Sequence, residues 1–536
     1  MSFDFKTRRS MVVARRGMVA TSNPLASQAG LAILRRGGNA ADAAVAAAAV
    51  LNVTESASTG IGGDMFALYF DARTKQVTAL NGSGRSPAAL TADLVREQGY
   101  TEMPLLNPHA VTVPGAPAGW EDLLLRHGSM PLADVLQDAI YYARDGFPVH
   151  PVYGEKWGRY QTFFEKTPYS EDYLPGGVPP KAGQTVRLPG LAASLQAIAE
   201  GGAEAFYTGR IAEAIVRSVE ERGGVMTLDD LRHHRSTWEE PISTEYRGVR
   251  VYECPPNGQG IAALQALNVA EGFDLAALPP DSPERLHLMV ESMRLAFADA
   301  RQYVADLATD PAPVDWLLSK AYAAERRALI APDCAMQPPG FGMPPAGSDT
   351  VYLTAVDGQG NACSFINSLY TGFGSGIVAQ GCGFFLQSRG ALFSLEDGHP
   401  NLLAPGKRPY HTIIPAMATQ DGELWASFGV MGGFMQPQGH FQVLVAMIDD
   451  DLNPQEALNR PRWCLEAGTG DSTLAVEEGI PVPTMARLAA MGHPLRPVSG
   501  TRRNVFGDGQ IIRRDADSGV LFGGSDPRKD GQTAAY

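Results

Sequence analysis

Apolar residues recur at helical spacing over Arg285–Val304, where Leu286, Met289, Val290, Met293, Phe297 and Ala300 share one face. That stripe predicts a helix laid on a core. Towards the N-terminus, Asn23 to Arg36 reads as a helix stopped by Gly37 and Gly38. Asn39 then caps an alanine-dense helix running to about Val53. Small side chains let a helix approach its neighbours closely, so this one is expected deep in the interior. A polar, glycine-rich loop, Thr54 to Asp64, leads to a strand at Met65–Phe70. A second strand, Gln76–Leu80, runs into the turn Asn81-Gly82-Ser83-Gly84, and Arg85 follows directly. GVRVYECPPNGQGIAALQAL, residues 248–267, reads as strand, Pro/Gly turn and helix. After residue 349 strands dominate. Thr350–Val356, the turn Asp357–Gly360 and Asn361–Leu369 form a predicted hairpin, with further strands at Gly383–Leu386, Leu424–Gly429 and Gly509–Arg513. Between the halves, Ala331 to Asp349 carries five prolines in nineteen residues. It is expected to be an exposed, flexible linker of the type where chains are cut. The mixture is an α/β pattern without a fixed repeat.

The chain has 536 residues, roughly three to four domain-sized units, so core size is no obstacle. Its 58 Asp and Glu outweigh 44 Lys and Arg, giving a net charge of −14. This demotes nucleic acid as a partner, because phosphate backbones require a basic face. The five cysteines, Cys254, Cys334, Cys363, Cys382 and Cys464, are scattered with no CxxC pair. They read as buried, reduced thiols rather than a disulfide framework or a zinc site. No apolar run reaches the ~20 residues that span a bilayer, and no signal segment is recognisable, so a cytoplasmic location without membrane contact is expected.

The sequence has no HExxH, GxSxG or P-loop. No histidine pair has metal-ligand spacing, and Gly372–Gly376 lacks the third glycine's spacing and the helix that a dinucleotide loop needs. No metal or cofactor is expected. The informative point is the end of the linker, where Thr350 opens a strand. If the preceding peptide bond were cut, Thr350 would carry a free α-amine beside its hydroxyl. An amine with a pKa near ~7.7–8.0 can act as that hydroxyl's base. From spacing alone, a β-branched residue starting a strand explains the same threonine.

Several blocks then change the weighing: RRGGNAADAAVAAAAVLNVTE, TGIGGDMF, GRSP at Gly84–Pro87, and HLMVESMRLAFADARQYVADLATDP at His287–Pro311. Downstream stand DTVYLTAVDGQGNACSFINS at Asp349–Ser368, FGSGIV, PNLLAPGKRP and GVMGGFMQPQGHFQVL. In this order the chain resembles the γ-glutamyltransferase (γ-glutamyltranspeptidase) family of N-terminal-nucleophile hydrolases, from about Asn23 to Arg462. The resemblance implies a four-layer αββα sandwich and a proenzyme that cuts itself between Asp349 and Thr350. The products would be a large chain, 1–349, and a small chain, 350–536, folded as one unit, with a homodimer of such pairs open to it. The new N-terminal threonine would attack a small-molecule amide and pass the acyl group to water or an amine.

Residue by residue, the resemblance makes Thr350 the nucleophile and Ser368 its supporting hydroxyl. Gly432 and Gly433 match the pair whose N–H groups form an oxyanion hole, and Arg85 the arginine that binds a substrate carboxylate. Departures concern the acyl group. Aligned through FGSGIV, an acidic residue that holds the glutamyl amine becomes Leu392, a glutamine-type contact becomes Arg389, and an asparagine becomes Tyr370. His411 and Thr412 occupy a Ser-Ser pair. The segments Gln387–Leu395 and His399–Asn401 are similar to relatives acting on oxamate or glutaryl-cephalosporins. Hydrolysis of γ-glutamyl or similar carboxylate-bearing amides is therefore the leading expectation, with an oxamate or glutaryl amidase as its neighbour. An unprocessed, non-catalytic homologue is the reading from another class.

Overall fold

The computed structural model describes residues 9–336, 348–466 and 473–536. Fourteen strands form two facing seven-stranded sheets. In chain order they are β1 (Val12–Ala14), β2 (Met18–Thr21), β3 (Asp64–Asp71), β4 (Gln76–Gly82), β5 (Thr237–Glu239), β6 (Ile242–Tyr246), β7 (Val249–Glu253), β8 (Ser348–Val356), β9 (Ala362–Thr371), β10 (Ala416–Gln420), β11 (Glu423–Met431), β12 (Asp508–Arg514), β13 (Leu521–Ser525) and β14 (Gln532–Ala535). The first sheet has the order β14-β2-β8-β9-β3-β4-β5, the second β1-β13-β12-β11-β10-β7-β6. Every pairing in them is antiparallel. Each sheet combines strands from before and after residue 349.

Helices α1 (Pro24–Arg35) and α2 (Ala40–Thr54) cover the first sheet; α3 (Gly260–Ala270) and α5 (Met435–Ile448) cover the second, with α4 (Pro283–Tyr303) packed on α3. This is the expected αββα order. Asn39 and Asp42 close a capping box on α2, with the Asn39 N–H donating to Asp42 Oδ2 at 2.8 Å. All fifteen α2 residues are buried, and its alanines allow it to lie against β8 and β9. An Ala47→Leu change would overpack this contact, at about 1–3 kcal/mol. Between the sheets, Met18, Phe66, Leu68, Tyr352, Ile366, Met417 and Met431 form a separate core.

Some expectations are corrected. Asn81 and Gly82 belong to β4 rather than to a turn, because Gly82 still pairs with Met65. Gly383–Leu386 is no strand: Gly381 and Gly383 both have φ of +70°, and Phe385 makes one isolated bridge to Val378. Of the linker, 337–347 lies outside the described residues. Residues 335 and 336 are docked, with the Met336 N–H on Glu291 Oε2 at 2.8 Å and the Ala335 N–H on Met491 O at 2.7 Å. Cys334 is exposed, unlike the four buried cysteines. Among the described residues, no helix is long and apolar enough to cross a membrane.

Candidate active site

Thr350 sits where the β8–β9 ladder changes register. Asp349 pairs with Tyr370 and Val351 with Asn367, so Thr350 alone faces two residues, Ser368 and Leu369. Such a bulge re-aims side chains. The Thr350 hydroxyl lies 3.2 Å from Ser368 Oγ, which accepts the Tyr370 N–H at 2.8 Å. The Leu369 N–H leaves the ladder for Ser58 O at 3.3 Å. Tyr370 adopts φ +79°, a left-handed conformation that costs a bulky residue about 1–3 kcal/mol.

From Tyr370 the contacts continue to a buried cation. The Arg389 guanidinium lies over the Tyr370 ring, 4.8 Å from its centroid, and Nη1 donates to Thr412 Oγ1 at 2.7 Å. Arg389 is 0% exposed, and its Nε and Nη2 have no hydrogen-bond partner. Burial lowers its pKa to about 10, opposed by Asp64. It therefore keeps its charge at neutral pH with two donors unmatched, a costly state for a buried group.

His411 is arranged differently. Its Nε2 donates to Asp64 Oδ2 at 3.0 Å while Nδ1 accepts the Ile413 N–H at 3.4 Å. Burial, then the nearby Arg389, push its pKa down to about 3, so the ring is neutral and used at both nitrogens. Asp64 Oδ1 also receives the Gly84 N–H and Gln387 Nε2, each at 2.9 Å. Arg85 follows Gly84, is half-buried, and donates to Arg235 O at 3.3 Å. Leu392 ends the short 3-10 turn that Arg389 begins, and it lines a separate cavity of about 480 Å³ with Phe393 and Tyr410.

Gly432 and Gly433 follow β11 with φ of +124° and +59°, conformations that favour glycine. A Cβ on Gly432 would lie 3.3 Å from Gly507 Cα. Gln259 ties this turn to the arginine side: its Nε2 donates to Gly433 O at 2.8 Å and to Thr412 O at 2.7 Å. Thr350 and Gly432 share a cavity of about 310 Å³ whose wall includes Asp508 and Lys529. Thr350, Ser368, Tyr370, Arg389 and Thr412 thus form one chain of contacts. His411 joins it through Asp64, and Arg85 stands beside it. Asp64 and Gln259 escaped the sequence reading; the signal for Asp64 was the acid closing the TGIGGD loop.

Among the described residues, His287, Glu291 and His493 are the one cluster whose donor atoms could hold a metal, within 4.8 Å of one another. Arg294 lies 3.0 Å from Glu291 Oε1, a positive neighbour that disfavours a divalent cation.

The model of the gamma-glutamyltranspeptidase family matches residues 26–536. The chain belongs to this family. It is accordingly an amide hydrolase of the N-terminal-nucleophile type. It is 39% identical over 527 residues to the glutathione hydrolase-like YwrD proenzyme of Bacillus subtilis, covering 97% of this chain and 98% of the relative. The oxamate amidohydrolase proenzyme of Klebsiella pneumoniae is 34% identical, with coverage of 98% and 99%. A crystal structure of cephalosporin acylase from Bacillus halodurans superposes with TM-score 0.93 and 45% identity, covering 100% of this chain and 98% of that one.

Proposed function

We propose that this family member cuts itself between Asp349 and Thr350, giving chains 1–349 and 350–536, and then hydrolyses amides of small anionic acyl groups through an acyl-Thr350 intermediate. Once cut, the α-amine of Thr350 takes the proton of its own hydroxyl and returns it to the leaving amine. Ser368 orients the attacking oxygen. The Gly432 and Gly433 N–H groups stabilise the oxyanion, a contribution typically worth about 2.7–4 kcal/mol per donor. Arg389 and Arg85 hold the acyl carboxylate, with Tyr370 and Thr412 fixing the Arg389 fork and His411 supporting Asp64. A cytoplasmic setting fits the five free cysteines.

The observation that carries the substrate class is Arg389, fully buried with two nitrogens unmatched. A carboxylate would satisfy both through paired bonds. An ammonium finds no such reception: Asp64, the carboxylate near Arg389, is already engaged by Gly84, Gln387 and His411. Glutaryl and oxamyl amides should therefore turn over faster than γ-glutamyl amides with the same leaving group. The second reading, γ-glutamyl hydrolysis, draws on the resemblance to the glutathione hydrolase-like relative. A kcat/KM for glutathione above that for the glutaryl amide would favour it. A single full-length band on denaturing gels, without activity, would instead support a non-catalytic homologue.

A further inference from the structure

Self-cleavage precedes the amine that later serves Thr350 as a base. Before the cut the Thr350 nitrogen is a peptide amide, and Ser368 Oγ at 3.2 Å is a neutral hydroxyl. Neither accepts a proton readily near neutral pH. His411 cannot help, because both ring nitrogens are engaged. Asp508 is placed otherwise. It is the register partner of Met431 across β11 and β12, so the two side chains share a face. Met431 packs between the sheets, which puts the Asp508 carboxyl in the same inter-sheet space, at the end where β8 begins. Asp508 and Thr350 line one cavity of about 310 Å³, and the preceding Gly507 packs on Gly432. Asp508 Oδ1 is buried without a hydrogen-bond partner. Oδ2 lies 3.8 Å from Lys529 Nζ, which is closer to Glu55, at 2.9 Å.

We propose that Asp508 is the proton acceptor for self-cleavage before Thr350, an inference that rests on the self-processing reading above. Directly or through one water of the shared cavity, the carboxylate takes the Thr350 Oγ1 proton as Oγ1 bonds to the Asp349 carbonyl carbon. The carbon–nitrogen bond then breaks, and the proton passes from Asp508 to the departing Thr350 nitrogen, which becomes a free amine. Water hydrolyses the resulting ester, leaving a carboxylic acid on Asp349 and restoring the Thr350 hydroxyl. Burial pushes the Asp508 carboxyl up to about 6; Lys529 and Lys156 oppose the rise, while Asp526 and Glu55 add to it. Arg503 and Arg528 line the same cavity but are paired with Glu477. A carboxylate of that basicity suits proton transfer near neutral pH.

The test follows full-length chain made by cell-free translation as it converts to two bands, between about pH 5 and pH 8, with N-terminal sequencing of the small fragment. Wild-type cleavage should accelerate with pH through about 6 and then level off. Asp508→Asn should cleave about 100-fold more slowly and lose that inflection, and Asp508→Glu should recover most of the rate. Asp508→Asn cleaving within about threefold of wild type would overturn the inference. A flat wild-type profile would do the same, even if the asparagine variant failed to fold. If wild type gave no fragment beginning at Thr350, the self-processing reading would fall first.

Discussion

The two sides of Thr350 treat buried charge in opposite ways. On one side Arg389 has no carboxylate on its Nε and Nη2, only the Thr412 hydroxyl and the Tyr370 face on the rest of the group. On the other, cations sit with anions: Lys529 with Glu55 at 2.9 Å, and Arg528 with Asp526 at 3.0 Å and with Glu477. An unmatched charge gains by receiving a ligand of opposite sign, whereas a matched pair gains nothing from one and holds geometry instead. The two proposals follow this difference, placing the acyl anion on the Arg389 side and proton handling on the Asp508 side.

The strongest way to break this picture is to remove the atom between the two sides. Thr350→Ala should stay one full-length chain on denaturing gels and lose at least about 10³-fold in amidase activity. Maturation of the alanine variant at the same bond would refute intramolecular attack. Arg389→Met keeps the bulk and removes the unmatched charge. Its kcat/KM for a glutaryl amide should fall about 100-fold while the thermal melt holds or rises, since a buried uncompensated charge has gone. Arg389→Lys should not rescue activity, as an ammonium lacks the planar fork.

The matched side should respond in the reverse sense. Lys529→Met strands the Glu55 carboxylate and should cost about 3–5 kcal/mol, read by denaturant unfolding. The ratio of glutaryl to γ-glutamyl turnover should not move. The smallest effect belongs to Arg85, which is half-buried and held by one 3.3 Å bond to Arg235 O. Arg85→Ala should weaken both substrates alike, by about tenfold, because both carry the carboxylate. A change in their ratio would show that Arg85 reads something else.

Much of the framework was legible because local rules and tertiary packing agree. Asn39 announced α2 through its cap, and the alanine run announced its burial. The Thr350–Leu369 hairpin showed in its alternation and turn. The bulge at Thr350 did not show, since a single register change leaves hydrophobic alternation on either side intact. Nor could the left-handed Tyr370 be read, because nothing in the local sequence favours it there; β9 and the Ser368 bond impose it. Gly383–Leu386 misled in the opposite way: its apolar run looks like a strand, yet the flanking glycines fold it into a turn. The roles of Asp64 and Gln259 were hidden for a third reason. Their partners, His411, Gln387, Gly433 and Thr412, lie more than 150 residues away.

The mixing of early and late strands within each sheet has a mechanical result. In the first sheet β2 lies between β14 and β8, and in the second β1 and β7 flank strands from the C-terminal part. A cut before Thr350 would therefore leave two polypeptides woven through each other. Neither could depart without tearing backbone ladders on both of its edges, so dilution should not separate them. Subunits from two molecules should not exchange, and a damaged half should be irreplaceable for the lifetime of the enzyme.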